Sequence, residues 1–290
     1  MTRTRLLTHT DLDGIGCAVI FRGVREGEVE MVENGAIDSR VLQLLEAVDG
    51  EILVTDHGVK LPTADEIDRF VAAGGSFTLL DHHRSSQELA GRSWATVNES
   101  KSATGLLFDH LGSPPAYAEF ARLVEDHDLW KHEDPRSARL SALVGLLGHD
   151  RFLARFTGEP AVEFGEGELL LLDNEDARRE DYLGKKLDQA RLVELDGARW
   201  AVCYAEQYQS DLAERLMIRF GVEATAIVNP GKRTVSMRGR GVDVSQVGVR
   251  FGGGGHARAA AFTFRGRPLE LELARFESAL DAALASPPAP

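Results

Sequence analysis

The chain has 290 residues, 43% hydrophobic and 27% charged, with a formal net charge of −13. That length allows two domains of ordinary size, and the balance is that of a soluble globular protein rather than a disordered one. The acidic excess argues against a protein that coats long duplex nucleic acid.

No apolar run approaches the ~20 residues needed to span a bilayer, so no membrane partner is expected. The N-terminal Met1-Thr2-Arg3-Thr4-Arg5 leads straight into a strand with no signal-peptide core, and a cytoplasmic location is expected. The two cysteines, Cys17 and Cys203, fall inside a predicted helix and strand and form no zinc pattern; they read as buried thiols.

The predicted elements alternate through the first third. Strand Arg3 to Thr8 feeds a helix from about Gly14 to Val24. Strand Val29 to Val32 precedes a helix around Ser39 to Val48. Strand Glu51 to Thr55 is followed by a helix from Ala64 to Ala73, with Thr63 and Glu66 as a capping box. Strand Phe77 to Leu80 and a short strand at Trp94 to Val97 complete the series. This β-α-β-α rhythm predicts a doubly wound parallel sheet. From Ser102 the pattern turns helical, over Ala103 to Leu111, Ala116 to Leu129, Ser137 to Leu147 and Arg151 to Phe156. The charged segment Gly167 to Leu195 reads as a linker helix with a break near Asp173-Asn174. A second α/β unit begins at Arg199 to Tyr204. Ser210 caps a helix over Asp211 to Phe220, strands follow at Ala224 to Val228 and Thr234 to Met237, and a helix spans Val244 to Phe251. A strand over Ala259 to Phe264 and a last helix over Leu269 to Leu284 end the pattern.

Three apolar runs end in acids and imidazoles: His9-Thr10-Asp11-Leu12-Asp13-Gly14, Asp56-His57 and Asp81-His82-His83. Parallel strands of one sheet would bring these tips to a common edge, where open α/β sheets place their sites. A fourth acidic spot, Glu125-Asp126-His127-Asp128, ends a helix. Six or more oxygen and imidazole ligands suit two divalent ions, most naturally Mn2+ with Mg2+ or Co2+ as alternatives. Such a pair activates water for displacement at phosphorus, so the expected reaction is phosphoester hydrolysis. Capping acids and core histidines would explain one such cluster, but not four in this order.

These four motifs resemble those of the DHH phosphoesterase superfamily, named for the triplet found here as Asp81-His82-His83. The resemblance implies that His9 and Asp11 hold one ion, Asp13 the other, that Asp56 bridges, and that His82 and Asp126 complete the second site. Asp128 is the rival to Asp126. It further implies that Asp81 orients a histidine and that His83 faces the scissile phosphate. His57 is extra and reads as packing beside the site.

The stretch Val228 to Arg267 holds eight Lys/Arg against one acid, Asp243, for a net +7, leaving −20 elsewhere. Within it, Arg238 and the run Gly252-Gly253-Gly254-Gly255-His256-Ala257-Arg258 resemble the DHH-associated C-terminal domain. Glycines let backbone N–H groups approach an anion, and arginine grips phosphate. Arg238, Gly253, Gly254, Gly255, His256 and Arg258 are therefore the expected substrate clamp. The expected architecture is α/β: a parallel-sheet DHH catalytic domain over 1–165, a helical linker over 166–196 and a smaller mixed-sheet substrate domain over 197–290, with the active site in the cleft between the two domains. The resemblance implies hydrolysis of short single-stranded RNA or DNA oligonucleotides and dinucleotides, not long duplex, in the manner of the compact nanoRNase branch and its nanoRNase B-like subgroup. Alternatives are a 3′-phosphoadenosine 5′-phosphate phosphatase, a cyclic-dinucleotide phosphodiesterase and, outside enzymes, a nucleotide sensor. Polarity, base preference and oligomeric state, a homodimer included, stay open.

Overall fold

The computed structural model describes residues 3–33, 35–47, 50–195 and 197–264. The chain divides into two compact units, Met1–Asp173 and Asn174–Pro290.

The first unit is built on five parallel strands: β1 (Arg3–Thr8), β2 (Gly27–Met31), β3 (Gly50–Thr55), β4 (Ser76–Asp81) and β5 (Ala95–Val97), in the order β2-β1-β3-β4-β5. Leu6 pairs with Leu53 and Leu53 with Thr78, so residues alternate in step across the sheet. The alternation divides the core between two faces. Leu7, Ile52, Val54, Phe77 and Leu79 pack beneath α2 (Ile37–Ala47) and α3 (Leu61–Ala72). Leu6, Leu53 and Leu80 pack with Cys17 and Phe21 of α1 (Leu12–Val24) and with Leu106 and Leu107 of α4 (Ala103–His110). A parallel sheet covered on both faces must be apolar at nearly every position, which is why its strands read as unbroken apolar runs. Beyond α4, α5 (Ala118–Asp128), α6 (Pro135–Leu147) and α7 (His149–Gly158) close a second cluster around Phe120, Phe152 and Phe156.

The chain leaves β1 toward β2 and returns past it to β3. This reversal opens a crevice at the carboxyl tips of β1 and β3, the place where doubly wound sheets bind ligands. The tips carry His9 and Asp56.

The second unit is a mixed sheet. Strand β6 (Arg191–Leu195) pairs antiparallel with β7 (Ala198–Tyr204), and β7 pairs parallel with β8 (Ala224–Asn229) through the crossover helix α9 (Gln209–Phe220). Then β9 (Thr234–Gly239), β11 (Ala259–Thr263) and β10 (Gly254–His256) extend the sheet antiparallel. α9 buries Leu212 and Leu216 against Ala201, Cys203 and Ile227 on one face. On the other face Val244 of α10 (Val244–Arg250) packs with Trp200, Met237 and Ala260.

Several local expectations change. Helix α8 (Glu166–Asp188) is continuous through Asp173-Asn174 and ends before Leu195. Residues expected to prolong it form β6, because Leu192 and Val193 find a ladder on β7. α3 begins at Leu61, two residues ahead of the expected cap, with Pro62 in its first turn and Thr63 buried inside it; proline fixes φ where no N–H is needed and so starts the helix. Ser210 does not cap α9: it lies inside the first turn and accepts a hydrogen bond from Arg238 Nη2 at 3.0 Å. The expected helix over Leu269 to Leu284 lies outside the described residues.

Candidate active site

Each strand tip presents its polar side chains for a local reason. At β1, Asp11 caps α1 by accepting from the Gly14 amide at 3.1 Å. A Cβ on Gly14 would lie 2.1 Å from the His9 carbonyl oxygen, so only glycine lets the loop turn this tightly into the helix. At β3, Asp56 adopts φ +57, a left-handed conformation that Asp tolerates better than most residues. It is 3% exposed, and its amide donates to the Leu80 carbonyl on β4 at 3.1 Å. At β4, Asp81 is fully buried, with His82 and His83 following it.

Residues of all four motifs fall into three adjoining groups. One group is His9, Asp11 and Asp56; a second is Asp13, His82 and Asp128; a third joins Asp56 to Asp81, His82 and His83, with the ligand atoms of each group within 4.8 Å of one another. His9 Nδ1 lies 2.9 Å from Asp11 Oδ2 and 3.7 Å from Asp56 Oδ2. His82 Nε2 lies 3.4 Å from Asp56 Oδ1, 3.5 Å from Asp128 Oδ2 and 3.7 Å from Asp13 Oδ2. Asp56 thus turns one oxygen toward each of the first two groups.

Protein donors fix several of these carboxylates from behind. The first amides of α4, Ala103 and Thr104, donate to the two oxygens of Asp13 at 2.7 and 2.8 Å, and Thr104 Oγ1 donates to the Asp13 carbonyl. Asp81 accepts from His83 Nδ1 at 2.8 Å and from the hydroxyl of the buried Ser86. His57 is buried, with Nε2 2.9 Å from the Val32 carbonyl, and meets His9 edge to face at 5.1 Å, which matches the packing role expected of it.

Asp126 is not part of the cluster. Its carboxylate accepts from the Glu133 amide at 2.9 Å, the Asp134 amide at 3.4 Å and the Ser137 hydroxyl, and so pins the segment between α5 and α6. Asp128, about 200° around the helix from it, stands with Asp13 and His82 instead. This geometry makes Asp128, the rival, the candidate ligand of the fourth motif in place of the expected Asp126. The donors that occupy Asp126 lie seven to eleven residues further along the chain, and only the Asp134-Pro135 start of α6 hinted at them.

The electrostatics are those of a site built for cations. Burial, then the neighbouring Asp13 and Asp11, push Asp128 up to about 8. Burial, followed by the same two acids, raises Asp56 well above the carboxylate range, and burial raises Asp13. Asp56 Oδ2 and Asp128 Oδ2 are buried with no hydrogen-bond donor among the described residues. Crowded carboxylates with unpartnered buried oxygens are costly unless a cation completes them. Oxygen and imidazole donors without thiolate fit a hard or borderline divalent metal. Asp81 behaves differently: burial opposes its charge, but the bonds from His83 and Ser86 hold it below the usual range, and its hydrogen bond raises His83.

Two substitutions separate Asp126 from Asp128. Asp126→Ala should lower the melting temperature, by about 2–4 °C per kcal/mol of lost hydrogen bonding, and keep the metal content of wild type. Asp128→Asn should lose bound metal. Because the folded state raises this carboxyl above its unfolded value, the unfolded chain holds fewer protons between about pH 4 and pH 8, and the metal-free wild type loses stability from this group as pH rises through that window. Metal-free Asp128→Asn should therefore match wild type near pH 4 and exceed it increasingly toward pH 8. Thermal melts and metal analysis decide both; metal loss in Asp126→Ala with retention in Asp128→Asn would reverse the assignment.

In the second unit, Arg238 and His256 pair with opposite sides of Ala259, so the three side chains share one face in a row across β9, β11 and β10. The Arg238 guanidinium is half-buried and held by Ser210 Oγ and the Met237 carbonyl. The glycine run has a structural use beyond the expected one. A Cβ on Gly253 would meet the Ala261 carbonyl at 2.1 Å, and one on Gly255, at φ +136, the Ala259 carbonyl at 2.5 Å. The Gly253 amide already donates to the Gly248 carbonyl. Of the three clamp glycines, Gly254 alone faces open space. Glycine at 253 and 255 lets β10 close on β11, which leaves Arg238, His256 and the exposed Arg258 as the side chains of the expected clamp.

No family model matches the chain. Its motifs and fold resemble those of the DHH phosphoesterase superfamily. It is similar to the oligoribonuclease NrnB of Bacillus subtilis, with 29% identity covering 93% of this chain and 75% of that one. Among solved structures it shares the fold of the pGpG-specific phosphodiesterase PggH from Vibrio cholerae (13% identity, TM-score 0.58, 96% and 97% of the two chains). It also shares the fold of the Mn2+ complex of RecJ from Thermus thermophilus (20% identity, TM-score 0.58, all of this chain and 53% of that one).

Proposed function

We propose that the chain hydrolyses the phosphodiester bonds of short oligonucleotides, dinucleotides included, to mononucleotides. The observation that carries this reading is the pair of adjoining ligand groups, His9 and Asp11 beside Asp56 Oδ2, and Asp13 and Asp128 around His82, whose Nε2 lies 3.4 Å from Asp56 Oδ1. His9 and Asp11 would hold one divalent cation and Asp13, His82 and Asp128 a second, with Asp56 shared. The bound cations, Mn2+ in this reading, supply water activation and charge neutralisation at phosphorus. Asp13 is presented by the α4 amides without side-chain freedom. His83 donates Nδ1–H to Asp81, which leaves Nε2 for the scissile phosphate and the attacking water. In the balanced reaction one phosphorus–oxygen bond to the leaving sugar breaks, water supplies the new one, and the sugar oxygen departs as a hydroxyl.

The relatives support the substrate class: one is an oligoribonuclease and another a dinucleotide phosphodiesterase. The row of Arg238 and His256 supports a clamp for a terminal phosphate or nucleotide. The chain outside Val228 to Arg267 carries a net charge of −20, which disfavours a long anionic strand. Activity should therefore fall from dimers to pentamers and be poor on long single strands and duplex. Arg238→Ala and His256→Ala should cost dinucleotides about 10-fold or more in kcat/KM, and a small generic phosphodiester much less, because remote contacts aid chemistry only in substrates that reach them. The measurement is kcat/KM against length for wild type and both variants. Equal cutting of dimers and long strands, or equal losses on both substrate types, would remove the clamp.

A further inference from the structure

A cavity of about 460 Å³ opens beside the cluster, wholly within the first unit, with Asp56 and His83 among its lining residues. That volume lies in the roughly 300–1,000 Å³ range of small-molecule pockets. Its three walls are the start of α2, the turn from β3 to α3, and the 3-10 turn Arg84–Leu89 after β4. Existing bonds tie the walls together: the Lys60 amide donates to Asp38 Oδ1 at 2.8 Å, His57 bonds the Val32 carbonyl, and Ser86 donates to Asp81. The cavity is therefore formed before any ligand arrives.

Its lining selects a ligand. Ile37 and Val59 are buried apolar walls, 5% and 6% exposed. At the exposed rim the side chain of Ser85 makes no hydrogen bond and that of Glu88 no ion pair among the described residues. The charges are Asp38, Asp56 and Glu88 against Lys60, which itself lies 3.9 Å from Asp38. Two apolar walls with a hydrogen-bonding rim suit a base and sugar, whereas Glu88 at the rim, the acid here that pairs with no cation among the described residues, repels a second phosphate.

We propose, resting on the phosphodiesterase reading above, that this cavity takes the nucleoside attached through the leaving oxygen, and takes it with its far hydroxyl unphosphorylated. Ser85 and Glu88 are then specificity-determining residues. The next phosphate of a longer strand would have to pass Glu88, so the same pocket disfavours chain extension on this side.

The test compares a dinucleotide with the 3′- and 5′-nitrophenyl esters of a mononucleotide, which cover either polarity and replace the leaving nucleoside by a small aryl group. In Ser85→Trp, which fills the rim of the cavity from an exposed position, the ratio of kcat/KM for the dinucleotide to that for the better ester should fall about 10-fold or more, mainly through KM. Binding of a methylphosphonate-linked dinucleotide, read by calorimetry, should weaken by a similar factor. Glu88→Lys should raise relative activity on dinucleotides that carry an added terminal phosphate. An unchanged ratio and unchanged binding in Ser85→Trp would overturn the proposal while leaving the phosphodiesterase reading intact. Failure of wild type to cleave any of these substrates in Mn2+ would overturn both.

Discussion

Asp56→Ala is expected to lower kcat/KM by roughly three orders of magnitude or more and to reduce the bound divalent metal. The reason is geometric. Asp56 belongs to two of the candidate ligand groups, with Oδ2 3.7 Å from His9 and Oδ1 3.4 Å from His82. Removing it takes an oxygen from both. In the metal-free protein the same change removes a 3% exposed carboxylate that burial and acidic neighbours make a liability, which offsets the cost of placing alanine at φ +57. Metal analysis, kinetics with added Mn2+ and a thermal melt after chelation read the three effects. Retained activity in excess chelator, or in the alanine variant, would sink the two-cation reading.

His83→Ala is expected to reduce kcat by roughly 10²- to 10⁴-fold, the range of a positioned acid–base group, while metal content stays near wild type. Its side chain is 52% exposed, whereas that of His82 is 12% exposed and faces three carboxylates. His83 spends Nδ1 on Asp81 and so presents its other nitrogen outward. Its nearest other candidate-ligand contact, to Asp56 Oδ1, is 3.9 Å. Loss of a full metal equivalent in the alanine variant would make His83 a ligand and give Asp81 the task of orienting a ligand rather than a substrate contact.

The orientation of His83 depends on residues far from it in character. Ser86 donates to the carboxylate oxygen of Asp81 that His83 leaves free. A Cβ on Gly58 would lie 2.1 Å from Ser86 Oγ, so the glycine after His57 keeps room for this bond. Both residues border the proposed nucleoside cavity. Chemistry and leaving-group recognition in this reading therefore share one wall.

What the sequence determined by itself is the fold class of the first unit and the members of the site that sit on strand tips. Apolar runs such as Phe77 to Leu80 are long enough only for buried parallel strands, and each ends where its polar residues must emerge. The order of the runs then forces their tips to one edge, which is why the gathering of His9, Asp11, Asp13, Asp56, Asp81, His82 and His83 could be expected from the sequence. Tertiary structure alone decided the rest. Asp126 and Asp128 are the same residue type on one helical turn, and what sets them apart is that donors from Glu133, Asp134 and Ser137 occupy Asp126. The glycines at 253 and 255 read as an anion loop, yet close packing on β11 demands them first. β6 was read as the end of the charged linker helix, and its partner β7 overruled that reading by offering a ladder. In each case the deciding contact joins residues whose pairing depends on the folded chain, and local propensity is too weak to override it.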